Sequence, residues 1–112
     1  MDRSVDLIKH KGYRVAATRV EGALYKHPAV GECCVVGVPD AKVGEKVKGF
    51  VVLKAGFENV SAEELINWCS ERLASYEVPA TVEFRKTLPK TAVGKVLRRR
   101  VRDEERKKQE TA

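Results

Sequence analysis

The residues best placed to do chemistry fall in one run, Leu88-Pro89-Lys90-Thr91-Ala92-Val93-Gly94-Lys95-Val96-Leu97-Arg98-Arg99-Arg100. Pro89 fixes its own φ and turns Leu88 away from helix, so an extended segment stops there. Gly94 permits a positive φ or a close approach to another surface. Lys95 follows directly, at the mouth of a helix-like stretch. Its flexible stem carries a compact ammonium suited to a phosphate or carboxylate oxygen. Taken alone, the composition favours the simpler reading of Lys95 as one more solvated lysine in a basic tail.

Other chemistries lack their residues. Gly94-Lys95 is followed by Val96 rather than Ser or Thr, and P-loop spacing is missing. There is no Ser-His-Asp set, no metal cluster and no pair of carboxylates in a recognisable frame. His10 and His27 are lone histidines, and His27, before Pro28, reads as a charge capping the end of a helix. Cys33, Cys34 and Cys69 are odd in number and lack metal-ligand spacing. On a strand, Cys33 and Cys34 point to opposite faces, as small core residues with reduced thiols. The chain alone is expected neither to bind ATP tightly nor to catalyse.

The elements that must position Lys95 can be read in order. Residues 5–9 and 12–15 form two short extended arms around a turn at Gly12. Thr18-Arg19-Val20-Glu21 is a capping-box pattern opening a helix to about Lys26, with Val20, Ala23 and Leu24 inward. Cys33–Val38 and Val47–Leu53 are β-rich runs that predict an antiparallel hairpin. Ser61-Ala62-Glu63-Glu64 opens a helix to about Ala74, with Trp68 packed at its edge. Ala80–Phe84 is a third strand, and a last helix runs from Gly94-Lys95 to about Lys108 with Val96, Leu97 and Val101 as a narrow apolar stripe. The fold class is α+β: a small antiparallel sheet of about three strands flanked by helices, plus an N-terminal two-stranded hairpin.

Length and charge bound the function. The 112 residues make one domain, 43% hydrophobic and 34% charged, with no run long enough to span a membrane and no signal-peptide character. Residues 85–108 hold eleven Lys and Arg against three acids. That could mark nucleic acid or a membrane surface, but no aromatics interleave with the charges. A solvated face near a polyanionic substrate explains them equally well.

The wording of the Lys95 run resembles the last signature motif of the adenylate-forming enzymes: acyl-CoA synthetases, peptide-synthetase adenylation domains and luciferases. Asp2-Arg3-Ser4-Val5-Asp6-Leu7-Ile8-Lys9-His10-Lys11-Gly12-Tyr13-Arg14-Val15 resembles the motif opening that family's small C-terminal domain. His27-Pro28-Ala29-Val30, Val35-Val36-Gly37-Val38-Pro39-Asp40 and Tyr76-Glu77-Val78-Pro79 fall between them in the family's order. The likeness covers residues 2–102 and points most closely to fatty-acid–CoA ligases.

The resemblance implies the mobile C-terminal lid of a cytoplasmic acid–thiol ligase. Such an enzyme turns a carboxylic acid, ATP with Mg2+ and coenzyme A into acyl-CoA, AMP and pyrophosphate. The partner would be a large N-terminal domain of the same enzyme, beginning upstream of Met1-Asp2-Arg3, and Gln109–Ala112 looks like a terminus. Lys95, supported by Gly94, would serve adenylation. Arg3 would sit by the nucleotide ribose. Lys9, Gly12 and Tyr13 would form the face used in thioester formation. Residues 1–16 would be hinge and hairpin, 17–108 the core and 109–112 a frayed tail. Two positions depart from the pattern: Val5 stands at the hinge where Lys or Asp is usual, and Glu77 reads as a surface charge reversal. The competing readings are a non-catalytic interaction module and a basic nucleic-acid-binding domain.

Overall fold

Two neighbouring and largely buried apolar runs set the architecture. In the computed structural model, which describes residues 7–111 and the side chains of 7–108, these runs form strands β3 (Val30–Asp40) and β4 (Gly44–Leu53), paired antiparallel from Val30↔Leu53 to Asp40↔Gly44. Before them come β1 (Leu7–His10), β2 (Tyr13–Ala16) and α1 (Ala17–Tyr25). After them come α2 (Ala62–Ser70), β5 (Thr81–Phe84) and α3 (Arg98–Thr111). The five strands form one sheet, ordered β2-β1-β4-β3, with β5 beside β4.

The α+β class holds, and the sheet is larger than three strands with a separate hairpin. The β1–β2 hairpin joins it through the pair His10↔Gly44 and the bond from Lys11 N–H to Val43 O (2.8 Å). β5 lies parallel to β4, from Lys48↔Thr81 to Val51↔Phe84, because α2 crosses over the sheet between the two strands.

Both faces of the sheet are covered. Val20 and Leu24 of α1 and Leu65 of α2 pack on Cys33, Val35, Val47 and Val51. On the other face, Val101 of α3 and Leu88 pack on Cys34, Val36, Val38 and Phe50. Adjacent Cys33 and Cys34 thus enter different cores, as strand alternation requires. All three cysteines are free and buried. Burial pushes their thiols up, Cys34 to about 12 and Cys69 to about 11, so at neutral pH they are packing groups rather than nucleophiles.

Several local expectations give way to tertiary partners. α1 starts at Ala17 behind Ala16, with no side-chain cap. Glu21 does not reach back to the helix start; its carboxylate accepts from Val35 N–H at 2.8 Å. Ser61 does cap α2, accepting from Glu64 N–H at 3.1 Å, but Glu64 turns to His27. His27 is not a helix-capping charge: it is buried, its Nδ1 accepts from Ala29 N–H (3.1 Å), and its Nε2 donates to Glu64 (3.0 Å). α2 ends at Ser70, where Arg72 folds back over the Trp68 ring at 3.3 Å. Trp68 packs at the helix edge, its indole N–H donating to Ala23 O at 2.8 Å.

Glu77 is no surface charge. It is buried, accepts from Ala74 N–H at 2.9 Å and pairs with Arg19 Nε at 2.8 Å. Two bonds to one carboxylate predict that Glu77→Ala lowers stability by about 1–2 kcal/mol. Urea unfolding of the wild-type and variant chains checks this; a change within error would contradict the assignment.

A charged network ties α3 to the sheet. Lys48 on β4 bonds Glu105 of α3 and reaches Glu83 of β5 at 3.2 Å. Burial opposes the Glu83 charge, but Lys48 and then Lys108 outweigh it and hold the carboxyl below its ordinary 4.5. Burial also opposes the Lys48 ammonium, and its bonds to Glu105 and Glu83 still raise it above 10.5. The Glu83 contribution is therefore present above pH 4.5 and is lost as pH falls through its lowered folded value. The Lys48 contribution is present below pH 10.5 and is lost as pH rises through its raised value. Lys48→Met should destabilise the fold at pH 7, and the deficit should shrink below pH 4.5. Urea unfolding at pH 7 and pH 3 measures this, and a pH-independent deficit would refute it.

Candidate functional site

Lys95 stands on a loop that closes on itself before α3. Lys90 and Val96 form an antiparallel bridge. Inside it, Thr91 N–H donates to Lys95 O (2.8 Å), Gly94 N–H to Thr91 O (2.9 Å) and Lys95 N–H to Thr91 Oγ1 (3.2 Å). This bridge keeps Val96 extended, which is why α3 begins at Arg98 and not directly after Lys95. Gly94 turns the loop at φ 90°, and a Cβ there would meet nothing within 4 Å, so the backbone angle and not space calls for glycine. Val93 at the tip is 90% exposed. Lys95 is exposed, and its ammonium has no hydrogen-bond or ion-pair partner among the described residues.

Neighbouring cations are committed. Lys90 pairs with Glu32 at 2.5 Å, and Arg98 grips Glu21 with two bonds of 3.1 and 2.5 Å. Between the loop and the open edge of β3 lies a cleft of about 450 Å³ lined by Glu21, Tyr25, Glu32, Cys33, Lys95 and Arg98. Tyr25 and Glu21 cover this edge by accepting from Cys33 N–H (3.2 Å) and Val35 N–H.

The second predicted set lies on the β1–β2 hairpin. Lys11 (φ 53°) and Gly12 (φ 84°) both take left-handed backbone, the two-residue turn that matches strand twist. No atom lies within 4 Å of where a Gly12 Cβ would be, so that face of the turn is open. Lys9 pairs with Arg14 in register, and its N–H donates to Glu45 Oε1 at 2.9 Å. His10 Nδ1–H donates to Glu45 O at 2.9 Å. Tyr13 is 53% exposed and stacks on Tyr76, ring centres 4.2 Å apart and 11° from parallel. Arg3 and Val5 lie outside the described residues.

The sheet therefore brings Lys9, Gly12 and Tyr13 together, brings Gly94 and Lys95 together, and holds the two sets apart. The Lys95 loop sits outside β3 near Glu32, opposite Val52 of β4. The hairpin sits on the other side of β4, at Gly44. Eight residues of strand separate these levels, about 25 Å at the usual rise. The two sets occupy diagonally opposite corners, and α3 runs between them: Arg98 holds Glu21 near one, and Arg106 holds Glu45 (3.2 Å) near the other. Sequence reading missed Glu21, Glu32, Arg98 and Tyr76 as supports. Tyr76, within the Tyr-Glu-Val-Pro word, and Arg98, within the Lys95 run, carried a signal. Among the described residues no group of three or more His, Cys, Asp and Glu could hold a metal, and no helix is long and apolar enough to cross a membrane.

Residues 19–95 match the family described as the AMP-binding enzyme C-terminal domain, and the chain belongs to that family. A long-chain-fatty-acid–CoA ligase of Bacillus subtilis (strain 168) is 54% identical over 104 residues, 93% of this chain and 18% of that enzyme. The crystal structure of a Brucella canis acyl-CoA synthetase superposes with a TM-score of 0.89 at 44% identity, covering 97% of this chain and 20% of that one. An o-succinylbenzoate CoA synthetase from Bacillus subtilis, solved with the acyl-adenylate intermediate OSB-AMP, gives 0.78 at 40% identity, covering 88% and 20%. The chain spans about a fifth of the length of these relatives.

Proposed function

We propose that this chain is the mobile C-terminal domain of an ATP-dependent acyl-CoA ligase acting on a carboxylic acid of the fatty class, in the cytoplasm. The domain would have no activity alone and would work on a site held by a large N-terminal domain. Residues 1–16 would serve as hinge and hairpin, 17–108 as the core and 109–112 as a tail. One observation carries this reading: two sets of candidate residues stand about 25 Å apart on one rigid sheet. Were both sets to act at one small site, they could not meet it at once, and this separation supports a domain that turns between two steps.

In the first step Lys95 enters the site. Its ammonium, without a partner among the described residues, is available to the carboxylate and α-phosphate oxygens, where negative charge crowds as the acyl-adenylate forms. Its work is electrostatic and needs no proton transfer. Arg3 would lie by the ribose, and Mg2+ would travel with ATP. In the second step the hairpin replaces the loop. Gly12 would let backbone lie against the arm of coenzyme A, Lys9 would place a cation near the reacting groups, and Tyr13 would be steadied by Tyr76. Val5 would lie at the pivot without a charge to favour either state.

A nucleic-acid role is weakened by the commitments of α3. Arg98, Arg102, Arg106 and Lys108 are engaged with Glu21, Asp103, Glu45 and Glu83. An interaction module without chemistry would have no need of a Lys95 held exposed on a preformed turn. The test is a separate assay of the two half-reactions in variants at the two corners, as described in the Discussion.

A further inference from the structure

We infer that Glu21 and Arg98 are positioning residues for Lys95: their ion pair straps the C-terminal end of the Lys95 loop to the edge of β3. The inference rests on the proposed role of Lys95 in adenylation.

Three observations carry it. Arg98 lies three residues after Lys95 and opens α3, which packs on one face of the sheet. Glu21 belongs to α1, on the other face. Their contact, two bonds of 3.1 and 2.5 Å, therefore passes around the β3 edge and joins the two helical layers where the loop departs. The side chains are 18% and 13% exposed, so the pair is shielded from solvent. Second, Glu21 is itself fixed, because its Oε2 also accepts from Val35 N–H at 2.8 Å. The anchor, on α1, is thus bonded to the sheet edge and is not a free side chain. Third, the N-terminal end of the loop has a matching strap, Lys90 to Glu32 of β3 at 2.5 Å. Lys95 lies between two ion pairs, one ending on Glu32 of β3 and the other on Glu21 of α1, which is itself bonded to β3, on a loop whose tip touches little else. A bidentate guanidinium–carboxylate contact fixes direction as well as distance, which a lysine at position 98 would not.

The consequence is specific to one half-reaction. Loss of the strap lets the loop drift, and misplacement of a catalytic group by about 1 Å can cost up to about 100-fold. In the full-length enzyme, Arg98→Ala should lower the kcat of acyl-adenylate formation by about 10- to 100-fold with little change in KM for ATP. Thioester formation from supplied acyl-adenylate should be unchanged. Arg98→Lys should recover only part of the loss. Glu21→Gln keeps an acceptor for Val35 N–H and should reproduce the defect without unfolding the edge.

The decisive readout is the double variant. If Arg98 acts through Lys95, adding Arg98→Ala to Lys95→Ala should cost nothing further in adenylate formation. An additive loss there, an equal loss in both half-reactions, or no loss in Arg98→Ala and Glu21→Gln would overturn the inference. Should Lys95→Ala itself leave adenylation intact, the reading of Lys95 fails first. Should Lys95→Ala abolish it while the strap variants do not, only the strap fails.

Discussion

Replacing Lys95 by alanine in the full-length enzyme is expected to cut acyl-adenylate formation about 100- to 1,000-fold, the usual worth of one positioned donor at a developing charge. Thioester formation from supplied acyl-adenylate should survive. The geometry explains the size and the selectivity. The ammonium has no partner within the described fold, so its removal breaks nothing that holds the domain together. The loop is shaped by backbone bonds among Thr91, Gly94 and Lys95 that alanine retains. The loss should therefore appear in kcat for the first half-reaction, with the unfolding midpoint unchanged. Pyrophosphate release with fatty acid and ATP reports the first half, and acyl-CoA formed from the adenylate reports the second. Equal losses in both would contradict the assigned role.

Gly12→Leu should give the opposite pattern. Gly12 sits at φ 84° on an open turn, so a leucine there projects into solvent in the isolated domain and clashes only when the hairpin is pressed against another surface. Thioester formation should fall about 100-fold while adenylate formation stays near normal. The left-handed backbone adds a folding cost of roughly 1–2 kcal/mol for any side chain. Gly12→Ala separates the two effects, since it carries that same strain with little bulk. If alanine and leucine depress the second half-reaction equally, strain in the turn and not contact with coenzyme A is the cause. If leucine leaves thioester formation intact, the hairpin does not face the second step.

Much of this molecule could be read from its residues. The β3–β4 pairing follows from Cys33–Val38 and Val47–Leu53, and the split of Cys33 and Cys34 between two cores follows from strand alternation alone. Gly12 and Gly94 announced turns at positive φ, and Lys95 beside Gly94 stood out by type and place. What escaped were groups whose partners are far away in sequence. Glu21 satisfied a local helix-start pattern, yet its carboxylate serves Val35 and Arg98, the latter 77 residues on. Glu77 looked like an isolated reversal of charge until Arg19 and Ala74 N–H were found on it. His27 looked like a cap because its partner Glu64 is 37 positions distant. β5 was visible as a strand, but its direction depends on where α2 carries the chain. Propensity and spacing report on neighbours along the chain, and these side chains answer to neighbours across the sheet.

The account depends on the domain presenting its two corners to one site in turn. The direct measurement is the distance between a spin label at exposed Glu63→Cys on α2 and another on the N-terminal domain of the full-length enzyme. It is taken first with a non-hydrolysable acyl-adenylate analogue and then with that analogue plus coenzyme A. The account predicts two distinct distance distributions, displaced by an amount comparable with the separation of about 25 Å between the two corners along the strands. A single distribution, unchanged by coenzyme A, would contradict it.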